Sequence, residues 1–311
     1  MKIGLIDVDG HNFPNIPLMK LSAWHKHNGD SVEWYEPMLN KKMYVVYMSK
    51  VFSFTPDYDY PINADKIVKS GSGYAISLVD GKEVYDKSVD VNLPFEIEHI
   101  YPDYSLYPDL TKDTAYGFLT RGCPRNCSFC HVGSKEGKCS VKAADLSEFW
   151  NGQKNIVLCD PNLIACQDWK DLLQQLIDSK AYIDINQGID IRLMTVEKAE
   201  MISRLKIKSI HFAWDRYEDK DIIVPKFQMF KDITQWGFRK MSVFVLVNYD
   251  TTFEQDLERI YTLRDMGYNP YIMVYDKAHT TGKDKIRQLQ RWVNNRVIFR
   301  TVNTFEEYKV M

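Results

Sequence analysis

No cysteine stands before residue 123, and residues 1–110 contain no arginine. Any thiol-based metal or redox chemistry therefore belongs to the later part of the chain. Apolar runs are short. The longest covers residues 43–48, far below the ~20 residues that a membrane-spanning helix needs. Neither sign of charge is in excess, since 40 Lys and Arg face 42 Asp and Glu for a net −2. A protein that coats polyanions by gross positive charge is thereby excluded. The opening stretch does not read as a secretory segment, because Asp7 interrupts its apolar residues. The expectation is a cytoplasmic protein, where disulfides are rare. No internal repeat or low-complexity tract is present.

What is there is an ordinary globular composition of 311 residues, 45% hydrophobic and 26% charged, enough for two domains. Charge is unevenly spread: residues 1–110 carry 10 Lys against 16 acids, net −6, and residues 111–311 are net +4. The first part opens on an apolar strand at 2–7 and a polar loop through Asp9, Gly10, His11 and Asn12. A helical pattern over 16–27 follows, stopped by Gly29. Strands are expected at 31–35 and 43–54. A short helix is expected at 64–69, ahead of Ser70-Gly71-Ser72-Gly73. A hairpin, 76–79 with 82–85, turns on Asp80-Gly81. Such alternation predicts a small Rossmann-like α/β domain with parallel strands. Pro94, Pro102 and Pro108 then punctuate a connector with Tyr101, Tyr104 and Tyr107, which places a boundary near 110.

Beyond 110 the alternation becomes regular. Strands are expected at 116–120, 156–159, 183–186, 209–213, 242–247 and 271–275, and helices at 143–151, 168–179, 195–205, 225–236, 252–266 and 283–294. The fifth helix carries a capping box, Thr251-x-x-Glu254. Phe253, Leu257, Ile260 and Tyr261 share one of its faces. Six βα units in about 200 residues predict a partial (β/α)6 barrel of the TIM type over 111–311, with its chemistry at the carboxyl ends of the strands.

Directly after the first of those strands comes Cys123-Pro-Arg-Asn-Cys127-Ser-Phe-Cys130. Three thiols within eight residues on a loop leaving a strand tip can wrap three corners of one compact cluster. Thiolates are the usual ligands of iron–sulfur clusters, and a cubane takes four. Three leave one iron open, and an open metal position binds and activates a further molecule. His131 offers a fourth ligand to zinc instead, but its place immediately beside Cys130 makes tetrahedral closure awkward.

Cys-x3-Cys-x2-Cys with an aromatic residue before the third cysteine, set in a βα barrel, resembles the radical S-adenosylmethionine superfamily. The longer string from Gly117 to Cys130 is similar to its cobalamin-binding-domain-associated and methylthiotransferase-like branch. The resemblance covers 116–275 as six βα units and 1–110 more loosely. It implies that Cys123, Cys127 and Cys130 hold a 4Fe-4S cluster whose fourth iron is chelated by S-adenosylmethionine. It further implies reductive cleavage to a 5′-deoxyadenosyl radical that abstracts hydrogen from a substrate, and a flavodoxin- or ferredoxin-type reductant as partner. The cofactor carries the hard chemistry, and the protein positions it.

The same resemblance assigns a pocket. Phe129 packs near the adenine. Asp160 and Asn162 stand where many relatives hold the amino group with a Gly-Gly-Glu stretch, which this chain lacks. Gln187, Asp190 and Arg192 follow the third strand, with Arg192 a two-donor partner for the carboxylate. Asp215 and Asn248, ending the fourth and fifth strands, reach ribose or substrate. Helix capping or mutual pairing is the competing role for each. Residues 1–110 resemble the cobalamin-binding fold, and cobalamin is an optional third cofactor. Asp9-Gly10-His11 begins the Asp-x-His-x-x-Gly loop that ligates it, but position 14 is Pro.

Cys139, Cys159 and Cys166 form no compact ligand loop and read as incidental thiols. No cysteine of the first part can hold the second cluster that methylthiotransferases carry. Trp150, Trp169, Trp236 and Trp292 fall in helical stretches and read as packing residues. The basic helix Arg287–Arg296 reads as packing on the barrel, although its charge permits contact with RNA. Two other functions compete with the radical enzyme: a non-catalytic iron–sulfur or zinc protein, and an RNA-modifying or cobalamin-dependent methyl-transferring enzyme.

Overall fold

The computed structural model describes residues 1–39, 42–79, 82–282 and 284–308. They divide into two compact units, Met1–Val157 and Leu158–Met311. The boundary expected near 110 falls inside the first. No helix among the described residues is long and apolar enough to cross a membrane.

In the first unit, β1 (Lys2–Asp7), β2 (Ser31–Trp34), β3 (Met43–Ser49) and β4 (Ala64–Ser70) form a sheet of order β2-β1-β3-β4. All its pairs are parallel. The chain reverses direction across the sheet between β1 and β3, the switch point at which loops diverge in doubly wound folds. Alternation along β1 builds both faces. Ile3 and Leu5 pack with Leu18, Leu21, Val45 and Ile97, while Ile6 packs with Tyr35, Met43 and Val46. Helix α1 (Ile16–His27) has the expected bounds. Asn15 caps it by accepting from the Leu18 amide, and Gly29 (φ +79°) turns the chain at its end.

The expected helix at 64–69 is instead strand β4, paired with β3 from Met43↔Ala64 to Ser49↔Ser70. The β-branched Ile67 and Val68 suit a sheet edge, and none of the seven residues is fully buried, so they supply no buried helical face. The long strand expected at 43–54 stops at Ser49. Beyond it the Asp9 carboxylate accepts from the amides of Val51 and Phe52, which removes those amides from any ladder. Strands β5 (Ile76–Val79) and β6 (Lys82–Tyr85) form the expected antiparallel hairpin, whose Asp80-Gly81 turn lies outside the described residues.

The first unit also holds β7 (Thr114–Gly117), β8 (Thr120–Arg121), β9 (Val141–Lys142) and β10 (Asn155–Leu158). The strand expected at 116–120 is thus broken at Phe118 and Leu119. The helix expected at 143–151 shrinks to the 3-10 turn Leu146–Glu148, which a box between Asp145 and Glu148 caps. Gly152 (φ +87°) turns the chain away soon after.

The second unit runs α2 (Trp169–Ser179), β11 (Tyr182–Ile189), α3 (Val196–Ser203), β12 (Lys206–Ala213), α4 (Lys220–Thr234), β13 (Met241–Val247), α5 (Phe253–Asp265), β14 (Asn269–Val274), α6 (Lys285–Asn294) and α7 (Arg296–Thr301). Its strands lie in chain order β11-β12-β13-β14, all parallel. Between sheet and helices, Phe212 meets Phe227, Phe230 and Tyr268 edge-on at 5.1–6.1 Å. Each strand is one step beyond its predecessor and returns through a helix, so all strand tips carry their loops at one edge.

Two local expectations shift. Helix α4 begins at Lys220 rather than 225 and takes Pro225 inside it. The cap of α5 is Thr252 with Gln255, one residue after the expected pair. The stretch Thr251-Thr252-Phe253-Glu254-Gln255 contains the same box in two registers. The Thr251 hydroxyl is instead used within the same helix start, where it donates to Asp256. Trp236 lies just past the end of α4 and Trp150 past the 3-10 turn, both outside helices.

Candidate functional site

The cysteine loop belongs to the first unit. β8 and β9 pair antiparallel, Thr120 with Lys142 and Arg121 with Val141, and so tie residues 122–140 at their base. Gly122 (φ +82°) is pressed against the returning strand, and a Cβ there would sit 2.1 Å from the Cys139 carbonyl oxygen. Its amide donates to Glu136 Oε2 (3.1 Å), and the Cys123 amide donates to the Gly137 carbonyl (3.1 Å). Glu136 also accepts from Arg121 Nη1 (3.2 Å). The Arg121 guanidinium in turn lies 3.4 Å over the Phe118 ring. Asn126 takes a left-handed backbone (φ +49°), and the Cys130 amide donates to the Cys127 carbonyl (3.0 Å), which curls the second and third thiols into one turn.

Cys123 and Cys127 are half-buried and Cys130 is exposed, and none is in a disulfide. Phe129 is half-buried between them in sequence. His131 Nε2 lies 3.1 Å from Glu83 Oε2, so the imidazole is engaged away from the loop. Among the described residues, no three His, Cys, Asp or Glu side chains are already gathered as a metal-holding group. The fit to an iron–sulfur cluster therefore rests on the donor set: three soft thiols at the spacing that wraps a cubane, on a loop whose base is held by backbone bonds.

The strand tips of the second unit carry the other expected residues. Asp160 and Asn162 are buried, at 0% and 1% exposure. Gln187 is exposed on a bulge of β11, where the register with β12 shifts and Gly188 takes φ +113°. Asp190 caps the turn Ile191–Leu193 by accepting from the Arg192 amide. Arg192 Nε donates to Asp190 (2.8 Å) and Nη1 donates to Asp219 (2.7 Å). Burial opposes its charge, but the two carboxylates outweigh that and hold the guanidinium above the usual arginine range. Burial pushes the Asp215 carboxyl up to about 6, against the pull of Arg259 and Arg192. Asn248, with φ +64°, donates to the Tyr275 carbonyl (3.0 Å) and stands apart from the acidic group.

Three residues of this cluster escaped the reading from sequence. Asp219 lies on a 3-10 turn ahead of α4, and nothing in its local pattern marks it. Asp256 and Arg259 form a buried pair on α5. The spacing of three was legible, but it suggests an exposed helix pair. Arg259 donates to the carbonyls of Trp214 (2.7 Å), Asp215 (3.0 Å) and Leu246 (2.8 Å), fastening the carboxyl ends of β12 and β13. The other thiols stay separate. Cys159 and Cys166 are buried, Cys139 is exposed, and burial raises the Cys166 thiol.

At the strand ends of the small sheet, the loop after β1 is half-buried over 8–10 and exposed over 11–13. The His11 ring lies 4.3 Å from that of Trp34 and 5.6 Å from that of Tyr107. Burial pushes Asp7 up to about 6, although the Tyr107 hydroxyl donates to it (2.7 Å). Asp9 occupies the end of β3, also accepting from the Thr55 hydroxyl (2.6 Å). Gly71 and Gly73 back onto Lys50 and Phe52, where a Cβ would lie 2.3–2.7 Å from their atoms. The glycines there are packed against the chain at Lys50 and Phe52.

No family model matches the chain, and no curated protein matches it. Among solved structures it is similar to Streptococcus suis SuiB, at 12% identity and a TM-score of 0.42 over 61% of this chain and 48% of that one. It is also similar to the same protein bound to S-adenosylmethionine, at 13% identity and a TM-score of 0.39 over 71% and 53%. The chain spans about half the length of those proteins.

Proposed function

We propose that this chain is a radical S-adenosylmethionine enzyme. In this reading residues 1–110 form a Rossmann-like domain, and 111–311 form a partial (β/α)6 barrel. Cys123, Cys127 and Cys130 hold a 4Fe-4S cluster, and a flavodoxin- or ferredoxin-type protein reduces it. When bound, the cluster and its sulfonium ligand supply a one-electron cleavage that yields a radical able to take hydrogen from a substrate. The observation that carries the proposal is the tied loop: three thiols on one strand-tip loop with the neighbouring imidazole held by Glu83.

The chain's own residues contribute binding and charge. The thiol turn presents Cys130 toward solvent, and Glu136 restrains the loop through Gly122 and Arg121. Asp160 and Asn162, both buried, are the residues that this reading assigns to an ammonium group. Arg192, already between Asp190 and Asp219, sets the charge of the rim. Asp215 titrates near neutrality and can hold a proton there. Phe129 contributes an apolar face, and Gln187 and Asn248 contribute amides.

Anaerobic reconstitution with iron and sulfide tests this. The expected result is about four irons per chain, lost together in the triple Cys→Ala variant. Addition of S-adenosylmethionine and dithionite should then release 5′-deoxyadenosine. One tightly bound zinc without cleavage of the sulfonium overturns the proposal in favour of a structural metal protein.

A further inference from the structure

In parallel α/β folds the chemistry sits at the carboxyl ends of the strands, and the amino ends serve stability. The amino end of β13 departs from that division. The loop entering it holds Trp236, Phe238, Arg239 and Lys240, and α7 brings Arg296 and Arg300. The Arg300 guanidinium lies 2.9 Å over the Phe238 ring, with Arg239 5.8 Å from the same ring, and Lys240 lies 5.4 Å over Trp236. Burial and the neighbouring guanidinium groups of Arg239 and Arg296 hold Arg300 below the usual arginine range. Among the described residues, none of these four cations has a carboxylate partner.

The surface continues onto the next strand. Ile210 of β12 donates to the Lys240 carbonyl (2.8 Å). Lys206 and Lys208, two residues apart at the start of β12, are both exposed. They too lack carboxylate partners among the described residues, and Lys206 lies 5.9 Å over the Tyr182 ring. Crowding like charges without counter-ions costs stability. Here the cost is borne in a chain whose total charge is nearly neutral, so the patch is local rather than a result of bulk composition.

We propose that this cationic edge binds single-stranded nucleic acid. Clustered cations bind a phosphate backbone, and the exposed Tyr182 ring and the half-buried Trp236 and Phe238 rings lie among them as surfaces for bases. An anionic membrane or an acidic protein needs the charges but not the rings between them. The proposal is independent of the radical enzyme, since every residue in it lies at the opposite ends of the strands from the expected chemistry.

The test is fluorescence anisotropy with a labelled oligouridylate of about 15 nucleotides, titrated with the full-length protein over a range of salt. Four phosphate contacts give a log–log salt slope of about −3, at ~0.7 each for single strands. The double variant Arg239→Glu/Lys240→Glu should weaken binding at least about tenfold, and Arg300→Ala should flatten the slope by ~0.7. The variant Lys66→Glu/Lys87→Glu makes the same charge change in the first unit and should leave binding within about twofold. Circular dichroism checks that each variant is folded. No binding at low salt overturns the proposal, as does equal weakening by the Lys66/Lys87 pair. It is equally overturned if phosphatidylserine vesicles, and not the oligonucleotide, bind in a way that Arg239 and Lys240 control.

Discussion

Arg259 and Asp256, one turn apart on α5, form an ion pair in which both side chains are buried from solvent, at 0% and 1% exposure. The guanidinium does more than neutralise its partner. It satisfies carbonyls at the ends of two strands, those of Trp214, Asp215 and Leu246. Satisfaction is incomplete, since Arg259 Nε and Asp256 Oδ2 are buried without a hydrogen-bond partner, and the pair is held by the bonds that Nη1 and Nη2 make.

Removing it should therefore be costly. Arg259→Ala leaves Asp256 buried without its cation, where burial already favours the protonated form, and three carbonyls short of a donor. The expected loss is about 3–5 kcal/mol of folding stability, read from urea unfolding. Asp256→Asn keeps an acceptor beside the guanidinium and should lose less. A loss below about 1 kcal/mol for Arg259→Ala would mean that water replaces the guanidinium.

Asp215 makes stability depend on pH. Its folded carboxyl titrates near about 6, above the ordinary 3.8. The folded protein thus keeps a proton that the unfolded chain releases, and this contribution to stability is full below about pH 3.8 and is lost as pH rises through about 6. Asp215→Asn should flatten the fall in unfolding free energy across that interval. The same slope in both proteins would assign the effect to another group, with Asp7 the next to examine because its carboxyl is also raised to about 6.

Gly122 and Gly137 separate strain from steric conflict in the cysteine loop. Both have positive φ, at +82° and +104°, but only at Gly122 would a Cβ strike backbone, 2.1 Å from the Cys139 oxygen. Gly137→Ala meets strain alone, about 1–2 kcal/mol. Gly122→Ala should cost more and also displace the base of the loop, seen as faster proteolysis within 122–140. Equal behaviour of the two variants would show that the contact with Cys139 relaxes freely.

Much of this was legible in the residues themselves. The bounds of α1 followed from the helical pattern over 16–27 and the stop at Gly29, and the hairpin followed from the Asp80-Gly81 signal between its strands. Strand β4 was misread because Ile67 and Val68 sit in a stretch too short for its periodicity to separate helix from strand. Its pairing with β3 decided the matter. The α5 cap was misplaced by one residue because two overlapping boxes share the stretch, and the Thr251 hydroxyl is taken by Asp256 on the first turn of the same helix.

The sequence by itself determined the thiol spacing, the alternation of strands and helices, and the polar residues available at each strand end. These depend on neighbours a few positions away, within reach of backbone geometry and side-chain period. Tertiary structure alone decided that Arg192 meets Asp219, that Arg259 is buried under two strand tips, and that Arg239 and Arg300 share the Phe238 ring. Such pairs join residues tens of positions apart. Their meeting is set by the crossovers and register of the sheet, which no local pattern of charge or hydrophobicity encodes.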